Sequence, residues 1–153
     1  MYGANVALYK LLLRLKKDCG IAPWVAIPAE GVFTQCLKEE GIPYYICPMT
    51  QWQGVYSSAL RFAVKKCIRK RKIKKEVDEL VTWLKDKKIE AIHSNSSVIG
   101  TGAMLAKRLG CKDIWHIREF SEEHFNMRYF YPKKMVKQYY EEARYLITIS
   151  DAL

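Results

Sequence analysis

The chain has 153 residues, of which 50% are hydrophobic and 12% aromatic, so its composition supports a packed core and excludes an intrinsically disordered protein. Its formal net charge is +10 at pH 7, yet no apolar run approaches the ~20 residues of a membrane span. The five cysteines form no C-x-x-C pair and there are three histidines, so neither a disulfide framework nor a metal site is expected. Charges interrupt the first apolar stretch, unlike a signal peptide, and the sequence therefore predicts a cytoplasmic protein.

Helix and strand signals alternate along the chain. Apolar residues at helical spacing and short apolar runs predict these elements: a helix at 4–18, a strand at 22–29, a helix at 31–40, a strand at 42–48, a polar loop, a basic helix followed by a second or continuing helix at 76–88, a strand at 89–94, a helix at 98–109, a strand at 113–118, a mostly helical region at 124–143 and a strand at 145–150. Strands separated by helices pair in parallel through right-handed crossovers. The predicted fold class is α/β: a doubly wound, mainly parallel sheet with helices on both faces.

The start of the chain is unusual for such a sheet. A doubly wound domain normally opens on its central strand, whereas this sequence begins with the loop MYGAN and the helix at 4–18. The sequence therefore predicts that the first strand is missing and that the strands at 22–29 and 89–94 flank its place. Because buried unpaired backbone groups are costly, we expect the gap to be closed by direct pairing or filled by other residues.

The positive charge is concentrated between Arg61 and Lys75, where nine basic residues occur without an acidic one. Apolar residues such as Phe62, Val64 and Ile68 recur among them, which predicts a basic amphipathic helix. Three interpretations of this helix are open: a solvated helix face, a contact with an anionic membrane surface, or a nucleic-acid site. The second would make the protein peripheral at the inner face of the membrane. Nucleic acid is not expected, because no recognition motif or stacking-aromatic pattern accompanies the patch. The predicted membrane-contact residues are Arg61, Lys65, Lys66, Arg69, Lys70 and Lys72.

Two polar clusters, each containing a histidine, follow consecutive predicted strands. One is His93-Ser94-Asn95 and the other is residues 116–119, which include His116, Arg118 and Glu119. The carboxyl ends of parallel strands line one rim of a sheet, where ligands bind, so both clusters are expected at that rim. The SNSS segment at 94–97 also supplies hydroxyls that could cap the helix at 98–109 and bind an anion or a sugar hydroxyl. The alternatives to a ligand site are a purely structural role for His93 and an internal ion pair within the cluster of His116, Arg118 and Glu119.

The glycines of the GTGAML segment, residues 100–105, invite a comparison with dinucleotide-binding loops. They come too late after the strand for that role, and Leu105 occupies the third glycine position. Close packing of the helix through Gly102, Ala103 and Ala106 is the better explanation.

Several segments in order resemble the N-terminal, Rossmann-like domain of a family 4 glycosyltransferase, one of the retaining enzymes with the GT-B fold. YGANVALYKLLLRL resembles the family's Gly-Gly-Ala loop and first helix, with Tyr2 in place of the first glycine. IPAEGVFTQCLKEEGIPYYICP resembles its P-x-x-G and G-I-P pattern, and IEAIHSNSSVIGTGAMLAKRLG resembles its D-I-I-H-x-N-S strand and following helix. IWHIRE and ITISDAL resemble the histidine strand and the end of the domain.

The resemblance implies an acceptor-binding domain spanning residues 1–153, without the C-terminal donor-binding domain and inactive by itself. The full-length enzyme would be a hexosyltransferase of polysaccharide biosynthesis that transfers a sugar from a nucleotide-sugar to a glycan or lipid-linked acceptor, with retention and without a metal or other cofactor. His116 would be the catalytic-site histidine that contacts the donor sugar, and Gly3 would approach the donor phosphates. The residues implied for the acceptor side, or for support of His116, are Ser94, Asn95, Arg118 and Glu119.

Two other classes of protein remain open. A free-standing nucleotide-binding module of Rossmann type would have a glycine fingerprint directly after its first strand, and none is present in this sequence. A nucleic-acid-binding protein without catalysis would depend on residues 61–75 alone. Salt-sensitive binding of generic DNA, stronger than binding to anionic vesicles, would favour that second class.

Overall fold

A computed structural model of the chain describes residues 3–56, 58–118 and 127–148. The chain divides into two compact units, residues 1–48 and residues 49–153. The described residues form five α-helices and seven β-strands, which in chain order are α1 (Gly3–Asp18), β1 (Val25–Ile27), α2 (Val32–Glu39), β2 (Tyr44–Ile46), β3 (Gln53–Val55), α3 (Ala59–Leu84), β4 (Ala91–Ser94), α4 (Thr101–Leu109), β5 (Lys112–Ile117), β6 (Met127–Tyr129), α5 (Lys133–Glu142) and β7 (Tyr145–Thr148).

The first unit contains α1, β1, α2 and β2, so the four elements predicted for this segment are confirmed, with shorter strands. β1 and β2 are parallel, and Val25 pairs with Tyr44. Both helices and β1 contribute to one apolar core, which is formed by Leu12, Val25, Ile27, Phe33, Leu37 and Ile42. Tyr44 of β2 is partly buried and packs against this core. The helices end where glycines take up a left-handed conformation, at Gly20 with φ 65° and at Gly41 with φ 62°.

The second unit contains two sheets. β4, β5 and β7 form a parallel sheet with β5 in the middle, while β3 and β6 form a separate antiparallel pair. This pair corrects two predictions, because β3 lies in the predicted polar loop and β6 lies in the region predicted to be mostly helical. Each strand has three residues, which is too short for an alternating pattern to be recognised in the sequence.

The fold is mixed α/β with small parallel sheets and no closed barrel among the described strands, which confirms the predicted class at this level. β1 pairs with β2, and β4 pairs with β5; in the described part of the chain neither strand has a second partner. That the place of the missing strand is closed by direct pairing or filled by other residues therefore stays a prediction. Among these residues there is also no helix that combines the length and the apolar character needed to cross a membrane.

The core of the second unit is built around Trp52, which is fully buried. Its indole ring packs edge-on against Trp115, with ring centroids 5.4 Å apart, and against Tyr129 at 5.5 Å. Ile73 and Val77 of α3 contribute to the same cluster. Aromatic rings in this arrangement gain both buried area and favourable edge-to-face contacts, so Trp52 connects α3, β5 and the segment of β6.

Helix α4 packs closely on strand β4 through a small residue. A Cβ atom added to Gly102 would overlap Ser94 Oγ and would lie 3.4 Å from Ile92 Cγ2. Ala103 and Ala106, on the same helix, are each 2% exposed. The interpretation of GTGAML as a packing segment is therefore confirmed.

We expect the Gly102→Ala substitution to lower the free energy of unfolding by about 1–3 kcal/mol, because the new methyl group would collide with Ser94. This loss should exceed the helix-propensity gain of about 1 kcal/mol that alanine brings over glycine. Ser94→Ala combined with Gly102→Ala should recover most of the loss, since it removes the overlapping oxygen. Urea denaturation of both single variants and the double variant measures the coupling between the two positions.

Gly31→Ala is the matched control, because a Cβ at Gly31 would meet no atom within 4 Å among the described residues. It should change stability little. Purely additive effects of Gly102→Ala and Ser94→Ala would contradict the proposed contact.

Candidate functional site

The two histidines identified in the sequence lie together at the carboxyl ends of β4 and β5. His93 is in register with Ile114, and His116 follows Ile114 by two residues, so both imidazoles are on the same face of the sheet. Their ring centroids are 6.0 Å apart, with an angle of 46° between the ring planes. The predicted convergence of the two histidine strands at one rim is therefore observed.

Arg118 connects this pair to the turn after β4. Its Nε donates to Asn95 Oδ1 at 3.0 Å, and its Nη2 lies 3.3 Å from His116 Nδ1. A guanidinium group has no acceptor, so a hydrogen bond between these two side chains requires His116 Nδ1 to accept. This assigns the proton of the neutral imidazole to Nε2. Together, His93, Asn95, His116 and Arg118 form the histidine cluster.

The surroundings keep both imidazoles neutral near pH 7. Burial lowers the pKa of His93, and the charges of His116 and Arg118 lower it further. Burial also lowers the pKa of His116, and the Arg118 guanidinium adds to this effect. The permanent charge of the histidine cluster is therefore that of Arg118, while each neutral ring offers one donor and one acceptor.

The other residues predicted for this site lie elsewhere. Ser94 is in register with Trp115, and its hydroxyl is buried against Gly102 of α4, so the structure does not bring it into the histidine cluster. Glu119 lies outside the described residues. Gly3 is the first residue of α1 and belongs to the first unit.

The predicted capping of the helix by the SNSS segment is wrong. Helix α4 begins at Thr101, three residues later than expected, and its N-cap is Gly100, without a side-chain capping bond. Ser96 Oγ instead accepts a hydrogen bond of 3.3 Å from the Val98 backbone N–H, within the turn that precedes the helix. The Ser96 hydroxyl is thus used in building the turn, and no side chain of the segment caps the N-terminus of α4.

Trp52 is the important residue that the sequence reading missed. Its Nε1–H donates to the Ser97 carbonyl at 3.0 Å, and its backbone N–H donates to the Val98 carbonyl at 3.1 Å. A Cβ atom at Gly100 would overlap its ring. Trp52 therefore holds the turn that carries Asn95. The available signal was a large aromatic residue inside a polar loop, since tryptophan is highly buried on average.

A second concave region lies at the opposite, amino-terminal end of β5. This cavity of about 510 Å³ is lined by the end of α4, the start of β5 and the end of α5. Asp113 lies in it, and one of its carboxylate oxygens is buried without a hydrogen-bond partner among the described residues. Burial raises the pKa of Asp113 to about 6, so the carboxyl is less acidic than an exposed one.

The comparisons of this chain with family models, with curated proteins and with solved structures gave no match. The histidine cluster combines one cation, two neutral imidazoles and one amide. Within the described ranges, no group of three or more His, Cys, Asp and Glu residues is placed to hold a metal ion. The cluster can donate hydrogen bonds to the oxygens of a polar ligand such as a sugar or a phosphate.

We expect the Arg118→Gln substitution to raise the pKa of both His93 and His116, because a positive charge that opposes their protonation is removed. The rise should be larger for His116, whose Nδ1 lies within 3.3 Å of the guanidinium. The change is measured by following the imidazole C–H signals by NMR during a pH titration. In the control variant Arg108→Gln, which breaks an ion pair with Asp78, both titrations should stay unchanged.

For Asp113, the expected consequence is a pH-dependent stability. Its carboxyl titrates near pH 4 in the unfolded chain and at about 6 in the fold, so the folded state favours the protonated form. The contribution of the Asp113 carboxyl to the stability of the fold is therefore fully present below pH 4 and is lost as the pH rises through 6. Asp113→Asn should therefore gain stability relative to wild type as the pH rises. The difference in the free energy of unfolding between variant and wild type should be about 1–2 kcal/mol larger at pH 7.5 than at pH 4, after allowance for solvent screening.

The measurement for Asp113 is urea denaturation at a series of pH values. Asp86→Asn, at an exposed position, is the matched control. An equal stability difference between Asp113→Asn and wild type across the whole pH range would contradict the assignment.

Proposed function

We propose that the chain is the acceptor-side, Rossmann-like domain of a retaining glycosyltransferase of family 4. The whole enzyme would transfer a sugar from a nucleotide-sugar to a glycan or lipid-linked acceptor, with the donor bound by residues outside this numbering. The observation that carries this proposal is the histidine cluster at the carboxyl ends of two adjacent parallel strands. In open parallel sheets ligands bind at that rim.

The topology of the second unit supports the proposal. β4, α4 and β5 form a parallel strand–helix–strand unit, and β7 adds to the same sheet on the other side of β5. Repetition of such units gives a Rossmann-like sheet. In the first unit Gly3 starts α1, which suits the proposed approach of donor phosphates, because the N–H groups at a helix N-terminus are free to bind an anion.

The hydrogen bonds of the histidine cluster suggest a role for each member. With its Nδ1 accepting from Arg118, His116 has its Nε2–H available to donate to a hydroxyl group of the donor sugar. Asn95 accepts from Arg118 through Oδ1, so its amide nitrogen is available for an acceptor hydroxyl. Arg118 is then a positioning residue, which sets the tautomer of one side chain and the orientation of the other. Donors held in this way stabilise developing charge without reorganisation.

The test is made on the natural protein that contains this chain. Its transfer of labelled sugar from a panel of nucleotide-sugars to glycan and lipid acceptors is measured, and the anomeric configuration of the product is determined by NMR. His116→Ala should lower kcat by roughly a hundredfold, because a hydrogen bond to the reacting sugar is lost, while the circular dichroism spectrum stays that of the wild type. Asn95→Ala should mainly raise KM for the acceptor.

Lys134→Ala, at an exposed position on α5, is the control and should keep wild-type turnover. Near-normal activity of His116→Ala would overturn the proposed role of the histidine. An inverted product would overturn the assignment to the retaining class. Binding of free nucleotide by the chain, with no transfer by the natural protein, would instead favour a nucleotide-binding module.

A further inference from the structure

Helix α3 is a single helix of 26 residues, and its two ends lie in different environments. Its C-terminal half is anchored in the core by Ile73, Val77, Leu80 and Leu84, which are all buried. Among the described residues, the N-terminal half contacts the rest of the second unit along its inner side. On that inner side Phe62 packs against Phe130, with ring centroids 5.0 Å apart, and Lys70 lies 4.9 Å from the centre of the Tyr131 ring.

The opposite side of this half carries an exposed aliphatic stripe. Leu60 is 77% exposed, Val64 53% and Ile68 49%, and their spacing of four residues puts them on one line along the helix. At about 100° per residue, Val64 is turned roughly 180° away from the buried Ile73. Burial in the fold therefore does not explain why three aliphatic residues recur on this side.

Basic side chains border the stripe on both sides. Arg61 and Lys65 follow one edge, Arg71 and Lys74 follow the other, and Lys72 continues the line of the stripe four residues after Ile68. All five are exposed. Within the described residues of the basic segment, Lys75 forms an ion pair with Glu79. The outer face of α3 consists of Leu60, Val64 and Ile68 together with these five basic residues.

The outer face narrows the set of membrane-contact residues predicted from the sequence. Arg61, Lys65 and Lys72 belong to it. Lys70 lies on the inner side against Tyr131, and helical periodicity places Lys66 and Arg69 toward that side as well. Phe62, which the sequence pattern assigned to the same apolar stripe as Val64, is also turned inward.

We propose that the outer face of α3 binds the surface of an anionic phospholipid bilayer. The aliphatic stripe enters the boundary between headgroups and acyl chains, and the two rows of basic side chains meet the lipid phosphates on either side. Helices that lie in the plane of a membrane combine an apolar line with flanking Lys and Arg in this way. The proposal does not depend on sugar transfer, since vesicle binding and transferase activity are measured separately.

Charge and side-chain type favour lipid over other occupants. A nucleic acid would find cations on the outer face, but no aromatic side chain on which bases could stack, because Phe62 faces inward. A second copy of the chain would bring two rows of positive charge against their own kind, which is repulsive. An anionic bilayer is complementary to both the cations and the aliphatic stripe.

Co-sedimentation of the chain with vesicles tests the proposal. Strong binding is expected to vesicles of phosphatidylcholine containing phosphatidylglycerol, weak binding to phosphatidylcholine alone, and a decrease when salt is raised from low to high concentration. The triple variant Arg61→Gln, Lys65→Gln, Lys72→Gln should bind roughly a hundredfold more weakly, because each cation near the headgroups contributes about a fivefold factor. The control triple variant Lys85→Gln, Lys88→Gln, Lys134→Gln loses the same net charge from exposed positions elsewhere and should bind much as wild type does.

A second pair of variants tests the aliphatic stripe. Val64→Ser with Ile68→Ser should weaken vesicle binding about tenfold, because less apolar surface enters the bilayer. Ile21→Ser with Val32→Ser is the matched control, since these residues are 49% and 58% exposed outside α3, and should have no effect. Circular dichroism verifies that every variant is folded.

Three results would overturn the proposal. These are equal binding to neutral and anionic vesicles, equal loss in the outer-face and control triple variants, and binding of a DNA duplex stronger than binding to anionic vesicles at the same salt concentration. The last result would assign the basic segment to a nucleic acid. If the wild-type chain bound neither kind of vesicle while the natural protein still transferred sugar, the outer face would be rejected as a docking site and the proposed function would stand.

Discussion

The second unit depends on the burial of one tryptophan in a segment with little regular structure. Trp52 donates from its indole to Ser97 and from its backbone to Val98, while its own carbonyl accepts from Phe130 N–H at 2.8 Å. Its ring fills the space that the missing side chain of Gly100 leaves open. One residue thus satisfies polar groups of the turn after β4 and connects that turn to β6. An unsatisfied buried group costs about 1–3 kcal/mol, so these bonds define the path of the chain before α4 begins.

The properties of the histidine cluster follow from this support. The turn held by Trp52 begins directly after β4, and Asn95 is the first residue beyond that strand. Asn95 can therefore meet Arg118, which extends from the end of β5, with a hydrogen bond of 3.0 Å. The guanidinium is consequently fixed on the side of His116 Nδ1, and the neutral tautomer with a proton on Nε2 results. A flexible turn would leave the arginine without this second anchor.

The sequence predicted the elements with a strong period or a clear end, and it failed where tertiary contacts decide. The helices at 4–18 and 31–40 end near Gly20 and Gly41, and their apolar residues recur at helical spacing, so α1 and α2 were found within one or two residues. β3 and β6 have three residues each and exist because they pair with each other. The convergence of His93 and His116 followed from parallel pairing, whereas the burial of Ser94 beneath Gly102 depended on which face α4 covers. No pattern in the sequence distinguishes these two faces.

The segment before Trp52 also connects the histidine cluster to the basic helix. Glu76 is 3% exposed, and its carboxylate accepts hydrogen bonds from the Thr50 backbone N–H, at 2.9 Å, and from the Thr50 hydroxyl. A buried carboxylate is costly unless it is hydrogen-bonded, so the two donors of Thr50 stabilise this acid within α3. Thr50 thereby holds α3 while Trp52, two residues later, holds the turn that carries Asn95. The helix that carries the outer face and the turn at the rim of the parallel sheet are thus both held by one short segment, from Thr50 to Trp52.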